Sequence, residues 1–235
     1  AVAFISLLLF LGLSFVTRRV TTFTRRVFSG LGILLTLLVG VMLVSAFQRL
    51  LLYEAAYGFS RLRAYTHVFM LWLGLLLLAA VILEAVGRLR FFALAVAVAV
   101  LGYGLSLPLL NIDGFIVRQN VARTLSGQEL DSAYLVSLSH DAVPVLFERF
   151  HDPLLPQSLR DDLGGILACR TKTSRLYPEY APWPSFQWSL YKAQTLFRQY
   201  GGELGIYILE EGEFGGWQVR VGNEWRQCMV DWYMD

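Results

Sequence analysis

Arg49, Tyr53 and Tyr57 recur every four residues, so on a helix they form one ridge, with Glu54 beside it. Arg61 and Arg63 follow in the same short polar stretch, YEAAYGFSRLRAYTHVF, which separates two apolar runs. Guanidinium, phenol and carboxylate groups placed this way suit two tasks. One is docking, because the planar arginine fork makes paired hydrogen bonds to a carboxylate. The other is a site for an anionic headgroup or small anion at a membrane boundary. Further along, Asn111 can cap a helix running to about Thr124, and Asp113 and Asn120, seven residues apart, share one of its faces, with Arg123 close behind. Two apolar runs intervene, so the chain crosses twice and both clusters are expected on one side. The expectation is that Arg49, Arg61 or Arg63 pairs with Asp113 or another acid.

Other chemistry finds little support. His67, His140 and His151 are scattered and the two cysteines, Cys169 and Cys228, stand 59 residues apart, so no zinc, haem-attachment or metalloprotease spacing occurs. His67 reads as a hydrogen-bonded interfacial histidine, since a haem there would need a ligand from another chain. There is no Gly-x-Ser-x-Gly elbow, and GGELG and EFGGW lack the setting and the lysine of a phosphate loop. Asp161 with Asp162, and Glu210 with Glu211 and Glu213, read as solvated acidic faces without an EF-hand pattern. No catalytic residue, metal ligand or cofactor is assigned. Cys169 and Cys228 either form one disulfide closing a long loop or remain two buried thiols.

The elements that must position these residues follow from composition. The chain has 235 residues, 56% of them hydrophobic and 16% charged, with a mean hydropathy of +0.52, too apolar for an ordinary soluble domain. Its formal charge of +2 is a cancellation: residues 1–110 carry nine arginines, no lysine and two acids, net +7, while residues 111–235 are net −5. A negative polar half is a poor partner for phosphate backbones, which sets nucleic acid aside.

A bilayer core of about 30 Å needs roughly 20 apolar residues in a helix. Four runs qualify: Val2 to Val16, Phe28 to Phe47, Ala64 to Val86 and Phe91 to Leu110. The last contains ALAVAVAVLGYG, whose period of two resembles a strand. Its length and uniform apolarity argue for a helix, and Ala95, Ala99 and Gly102 suit close packing on another helix. Ala1 already lies in an apolar run without a charged leader, so further spans are expected upstream. The paired arginines Arg18, Arg19, Arg25 and Arg26 place the first loop in the cytoplasm and the polar domain outside the cell membrane.

Beyond Pro108 the reading is an α+β extramembrane domain: helices over 111–200, then a small antiparallel sheet over 201–235. SGQELDSAYLVSL and SHDAVPVLFERF are expected as short helices, with Ser139 or Asp141 as a cap and Pro144 in the first turn. A helix from Gln157 to Cys169 is weakened by Gly164 and Gly165. In PSFQWSLYKAQTLFRQYGG, Ser185 is the expected N-cap and Gly201 the stop. Phe186, Leu190, Ala193, Phe197 and Tyr200 form a stripe better read as a core face than as a ligand box. LGIYILE, GWQVRV and EWRQCMV read as strands, the last two joined by a tight turn at Gly222 and Asn223. Trp183 and Trp188 suit either a headgroup layer or a small core.

YGFSRLR, NIDGFIVRQNVAR, ELDSAYLVSLSHDAVPVL and WPSFQWSLYKAQTLF together resemble the C-terminal part of the domain of unknown function 4173 family of bacterial multi-pass membrane proteins, over about Arg49 to Tyr200. The resemblance implies the topology and a set of polar positions: Tyr57, Arg61, Arg63, Asn111, Asp113, Asn120, Arg123, Asp131, Tyr134, Ser139 and Asp141. It implies no activity. The functional expectation is a non-catalytic scaffold or accessory subunit of a larger membrane assembly, in contact with lipid and with other subunits. The alternative is a membrane enzyme or sensor with an anion site at the boundary.

Overall fold

The computed structural model describes residues 22–173, 187–212 and 216–228, together with Ile5 and Gly12. The chain forms two compact units, residues 1–110 and 111–235.

In the first unit, α1 (Thr22–Tyr57) and α2 (Arg61–Ala85) are joined by a three-residue turn, and a short 3-10 segment (Leu89–Phe91) leads into α3 (Phe92–Leu109). Arg26–Tyr57, Arg61–Ala85 and Leu89–Leu109 are each long and apolar enough to cross a bilayer, which marks a membrane protein. The expected first span, Val2 to Val16, lies outside the described residues apart from Ile5 and Gly12. α1 runs ten residues past the expected end at Phe47, because QRLLLYEAAY contains no helix breaker until Gly58. Gly58 stops it with φ +81, and its amide bonds to the Glu54 carbonyl at 2.9 Å. The polar insert is therefore two helix ends and a tight turn. The alternating run in α3 is helical, as its length required.

α2 packs against both α1 and α3, around Val39, Leu77, Ala80 and Phe92. Gly102 is where α3 meets α2 most closely. A Cβ there would stand 2.1 Å from the Trp72 ring, and the Trp72 indole donates to Ser106 Oγ at 3.0 Å. Small residues let helices approach where lipid removes the hydrophobic drive to associate.

The second unit contains α4 (Ile112–Leu125), α5 (Ser132–Val136), a 3-10 turn (His140–Ala142), α6 (Val143–Phe150), α7 (Gln157–Thr173), α8 (Trp188–Tyr200) and a 3-10 segment (Gly201–Ile206). An antiparallel sheet follows in the order β1 (Leu209–Glu211), β2 (Trp217–Val221) and β3 (Glu224–Gln227). α7 lies at its centre, touching α5, α6 and β2, and buries Leu163, Ile166 and Leu167.

Several expected boundaries shift for physical reasons. SGQELDSAYLVSL is helical only over Ser132–Val136, where Asp131 accepts from the Tyr134 amide at 2.9 Å and so sets the start. Gly164 and Gly165 do not weaken α7, which continues to Thr173. They let it be approached, since a Cβ at Gly164 would meet the Tyr207 hydroxyl at 2.1 Å and one at Gly165 would meet Val221 at 2.6 Å. α8 begins at Trp188 with Gln187 in the cap position. Ser185 and Phe186 lie outside the described residues. Gly201 ends the α-helix, but the chain continues as a 3-10 turn through Ile206, so LGIYILE contributes a strand only from Leu209. The turn at Gly222, with φ +61, joins β2 and β3 as its sequence required. Cys169 of α7 and Cys228 after β3 form a disulfide with Cα atoms 5.2 Å apart, so the sheet is pinned to the helical core.

Candidate functional site

Helix α1 presents its ridge as spaced in the sequence. Tyr53 and Tyr57 stack with centroids 6.2 Å apart and are exposed, as is Arg49. Arg63 of α2 reaches back over the Tyr57 ring at 5.9 Å and donates to the Gly58 carbonyl, so it clamps the turn of its own hairpin. Arg61 opens α2.

Glu54 turns the other way. It is 2% exposed, and its Oε2 bonds His67 Nε2 at 2.9 Å across the α1–α2 seam. The His67 ring meets Phe47 edge-on at 4.7 Å. Glu54 Oε1 is buried with no partner among the described residues. The interfacial histidine of the sequence reading has found a carboxylate from the preceding helix. At the far end of the same seam, buried Glu84 accepts from Ser29 Oγ at 2.5 Å. Two carboxylates thus clasp α1 to α2, one near each end. Ionisable groups in such helices are costly unless paired, which makes each pair a candidate for function as well as for packing.

Between these clasps α1 and α2 leave a lateral groove of about 590 Å³. Gly40 and Gly74 open it, while Thr36, Ser45 and Gln48 put polar groups into an otherwise apolar lining. Ser45 and Gln48 are exposed on α1, Ser45 within its apolar run and Gln48 just past the end of that run at Phe47.

In the second unit the motif residues come together at the start of α4. Asn111, with φ +41, accepts the Gly114 amide on its side-chain oxygen at 2.9 Å, and its Nδ2 donates to the Asp141 carbonyl at 3.2 Å. A Cβ at Gly114 would lie 2.8 Å from Asn111 Nδ2, which explains a glycine there. Asp113, 5% exposed, accepts the Ser139 amide at 2.8 Å. Ser139 in turn caps the 3-10 turn by accepting from the Asp141 amide at 3.3 Å. Asn120 and Arg123 lie further along α4. Arg123 donates to the Gln128 side chain at 3.4 Å, and Asn120 offers its carbonyl to Thr124 Oγ1. The NIDG and LSHDA motifs are therefore the two sides of one hydrogen-bonded joint.

The residue that completes this joint was not singled out from sequence. Arg170 is 1% exposed and donates to the carbonyls of Val136 at 2.9 Å, Leu138 at 2.8 Å and Ser139 at 2.9 Å, with a longer bond to Leu135. One guanidinium thus satisfies the end of α5 and the segment leading to the Ser139 cap. A signal was present: Leu159, Leu163, Ile166 and Arg170 recur at helical spacing, which puts the arginine on the buried face. Beside it, burial pushes His140 below the usual imidazole range, the Arg170 charge pushes the same way, and Asp141 opposes both.

The acidic pair of α7 is not a solvated face. Asp162 bonds Arg226 of β3 at 2.6 Å; burial raises its carboxyl above the usual range, and Arg226 offsets part of that rise. Tyr207, above the same helix, is pushed up to about 12 by burial and by Asp161 and Asp162. Glu210 and Glu211 are exposed, and Glu213 lies outside the described residues. Of the described part of the α8 stripe, Ala193 and Phe197 are buried, Leu190 and Tyr200 are half-buried, and Phe197 meets Phe147 of α6 at 5.2 Å. Among the described residues no group of His, Cys, Asp and Glu could hold a metal ion.

A family profile described as Domain of unknown function (DUF4153) matches residues 1–148. No curated protein and no solved structure matches the chain. The match spans more than half of the residues, so the chain belongs to the DUF4153 family. The 4173 family named from the motifs is not the one matched, although YGFSRLR, the NIDG start of α4 and the LSHDA turn all fall inside the matched span.

Proposed function

We propose that this DUF4153 protein is a non-catalytic membrane scaffold or accessory subunit whose α1–α2 pair seats a transmembrane helix of a partner subunit. The observation that carries the reading is the lateral groove with Gly40 and Gly74 at its opening and Ser45 and Gln48 within it. An exposed serine within an apolar helix, and a glutamine at its edge, gain most from donors and acceptors on a neighbouring helix, and glycines permit the approach. The flat apolar surfaces of α1–α3 elsewhere suit lipid. In this reading the 111–235 unit lies outside the cytoplasm, which the Cys169–Cys228 disulfide favours because such bonds persist in oxidising compartments.

The test places a photo-crosslinking residue at Val44, which lines the groove, and purifies the full chain in mild detergent. A crosslinked species of defined mass containing a second membrane protein, and its loss when Gly74→Leu fills the groove, is the expected result. A monodisperse monomer crosslinked only to itself or to lipid would overturn the reading.

A boundary sensor or enzyme using Arg49, Tyr53, Glu54 and Arg61 is the second reading. Glu54 favours it, since a buried carboxylate with one oxygen unpartnered is what a site keeps for a ligand or a proton. The two readings separate on Glu54→Gln. The scaffold keeps its crosslinked partner in this variant, whereas the sensor loses its response with assembly intact.

A further inference from the structure

We infer that the outward face of α8 is a membrane-surface contact that rests on anionic lipid headgroups. α8 buries Ala193 and Phe197 in the core of its unit, and the opposite side presents Trp188, Tyr191, Lys192, Thr195 and Arg198 at helical spacing. Trp188 is 60% exposed and Tyr191 50%, and their rings stack 5.7 Å apart. The Lys192 ammonium sits 5.3 Å over the Trp188 ring. Most of the area of two exposed aromatic rings is apolar, and indole and phenol rings, with a polar edge each, are favoured at headgroup depth.

Charge selects the partner. Residues 111–235 carry a net charge of −5, yet α8 holds Lys192 and Arg198 and no carboxylate. A basic, aromatic helix face on an acidic unit is complementary to an anionic surface, and the rest of the unit would be repelled by one. The chain permits this contact, since only Leu110 and Asn111 separate the end of the third apolar helix at Leu109 from the start of α4 at Ile112. A protein partner would need apolar depth at the centre of its footprint. This face offers instead an exposed aromatic pair with Lys192 over one ring and Arg198 further along the helix, the pattern of an interfacial helix.

The experiment uses the full chain in nanodiscs of phosphatidylcholine alone or with phosphatidylserine, including lipids brominated near the headgroup. Fluorescence of wild type minus Trp188→Phe isolates the Trp188 emission. Expected is quenching of that emission by the brominated lipid and protection from aqueous iodide, both stronger with phosphatidylserine. Lys192→Glu keeps Trp188 and should weaken the preference for phosphatidylserine by roughly fivefold or more, as one reversed charge near an anionic surface requires. Emission quenched by iodide and untouched by brominated lipid in either nanodisc overturns the inference. So does protection from iodide that appears in native membranes and disappears in nanodiscs of the purified chain, which would indicate a protein cover. Because lipid contact is read with or without a partner subunit, its failure is separate from failure of the groove crosslink.

Discussion

The two units spend their leucines in opposite directions. Leu31, Leu34, Leu37 and Leu38 of α1 point outward, and the membrane unit is held by the seating of Trp72 on Gly102 together with side-chain bonds across its helix seams. In the 111–235 unit Leu135, Leu146, Leu163 and Leu167 are fully enclosed around α7. Burial drives the second unit because water is its solvent. Lipid is as apolar as leucine, so close fit and hydrogen bonds must hold the first. Polar groups at depth differ accordingly. Glu54 and Glu84 clasp one helix to another, whereas Arg170 finishes the backbone of a five-residue helix that has too few internal bonds to stand alone.

If that contrast is right, the largest single effect sits at Arg170. Arg170→Met keeps much of the side-chain volume but strands the carbonyls of Val136, Leu138 and Ser139 in a buried place. The expected loss is about 3–5 kcal/mol, since each buried acceptor left without a donor costs about 1–3 kcal/mol. Arg170→Lys should rescue little, because a single ammonium cannot span carbonyls that a planar fork reaches. Thermal unfolding followed by near-ultraviolet circular dichroism reads the loss, and hydrogen exchange should place it at residues 132–142. Retained stability in both variants would mean the joint is held by Asn111 and Asp113 alone.

Opening the Cys169–Cys228 bond comes next. Both Cys169→Ser with Cys228→Ser and plain reduction should cost roughly 2–4 kcal/mol, the usual worth of closing a long loop. The membrane helices should be unaffected. Intact mass with and without reduction, after alkylation, reads the bond directly, and a gain of two alkyl groups without reductant would remove it from the account.

The motif-bearing helix starts and the terminal hairpin were legible because they depend on local chemistry. Asn111, Ser139, Pro144 and Gly222 each act within a few residues of themselves. Three of the four expected membrane helices were legible from length and apolarity alone, the run Val2 to Val16 lying outside the described residues apart from Ile5 and Gly12. What stayed hidden depends on partners distant in the chain. Glu54 with His67, Ser29 with Glu84, and Arg170 with the carbonyls near Ser139 are pairings that no local period announces. Gly164 and Gly165 illustrate the same limit. Helix propensity counts them as weak points, and only the arrival of Tyr207 and Val221 more than 40 residues later makes them necessary. Asp113 and Arg63, both named for docking, each also hold a bond inside their own unit, at Ser139 and at Gly58.

Within the membrane unit, Gly102→Val should cost about 1–3 kcal/mol by driving a side chain into the Trp72 ring, as overpacking does. Ser106→Ala, which removes the acceptor of the indole and the hydroxyl's own bond to the Gly102 carbonyl, should cost about 0.6 kcal/mol. Helix-pair association in detergent, or unfolding in mixed micelles, resolves the two. An equal effect of both would show that the hydrogen bond, rather than the fit, holds α2 to α3.

The smallest effect belongs to His140, which links titration to the Arg170 joint. Its folded imidazole sits below the ordinary value of 6.5 because burial, and then Arg170, disfavour the charged form. An unfolded chain therefore binds the proton more readily than the folded one. Stability from this group is complete above the unfolded value and declines as pH falls through about 6.5 toward the folded value. His140→Gln should flatten that part of the pH profile and leave the region above neutrality unchanged. Imidazole chemical shifts of the full chain in nanodiscs should show a midpoint below 6.5 for His140, moving upward when Arg170 is replaced by Met. A midpoint that ignores Arg170 would leave burial as the sole cause and separate the histidine from the joint.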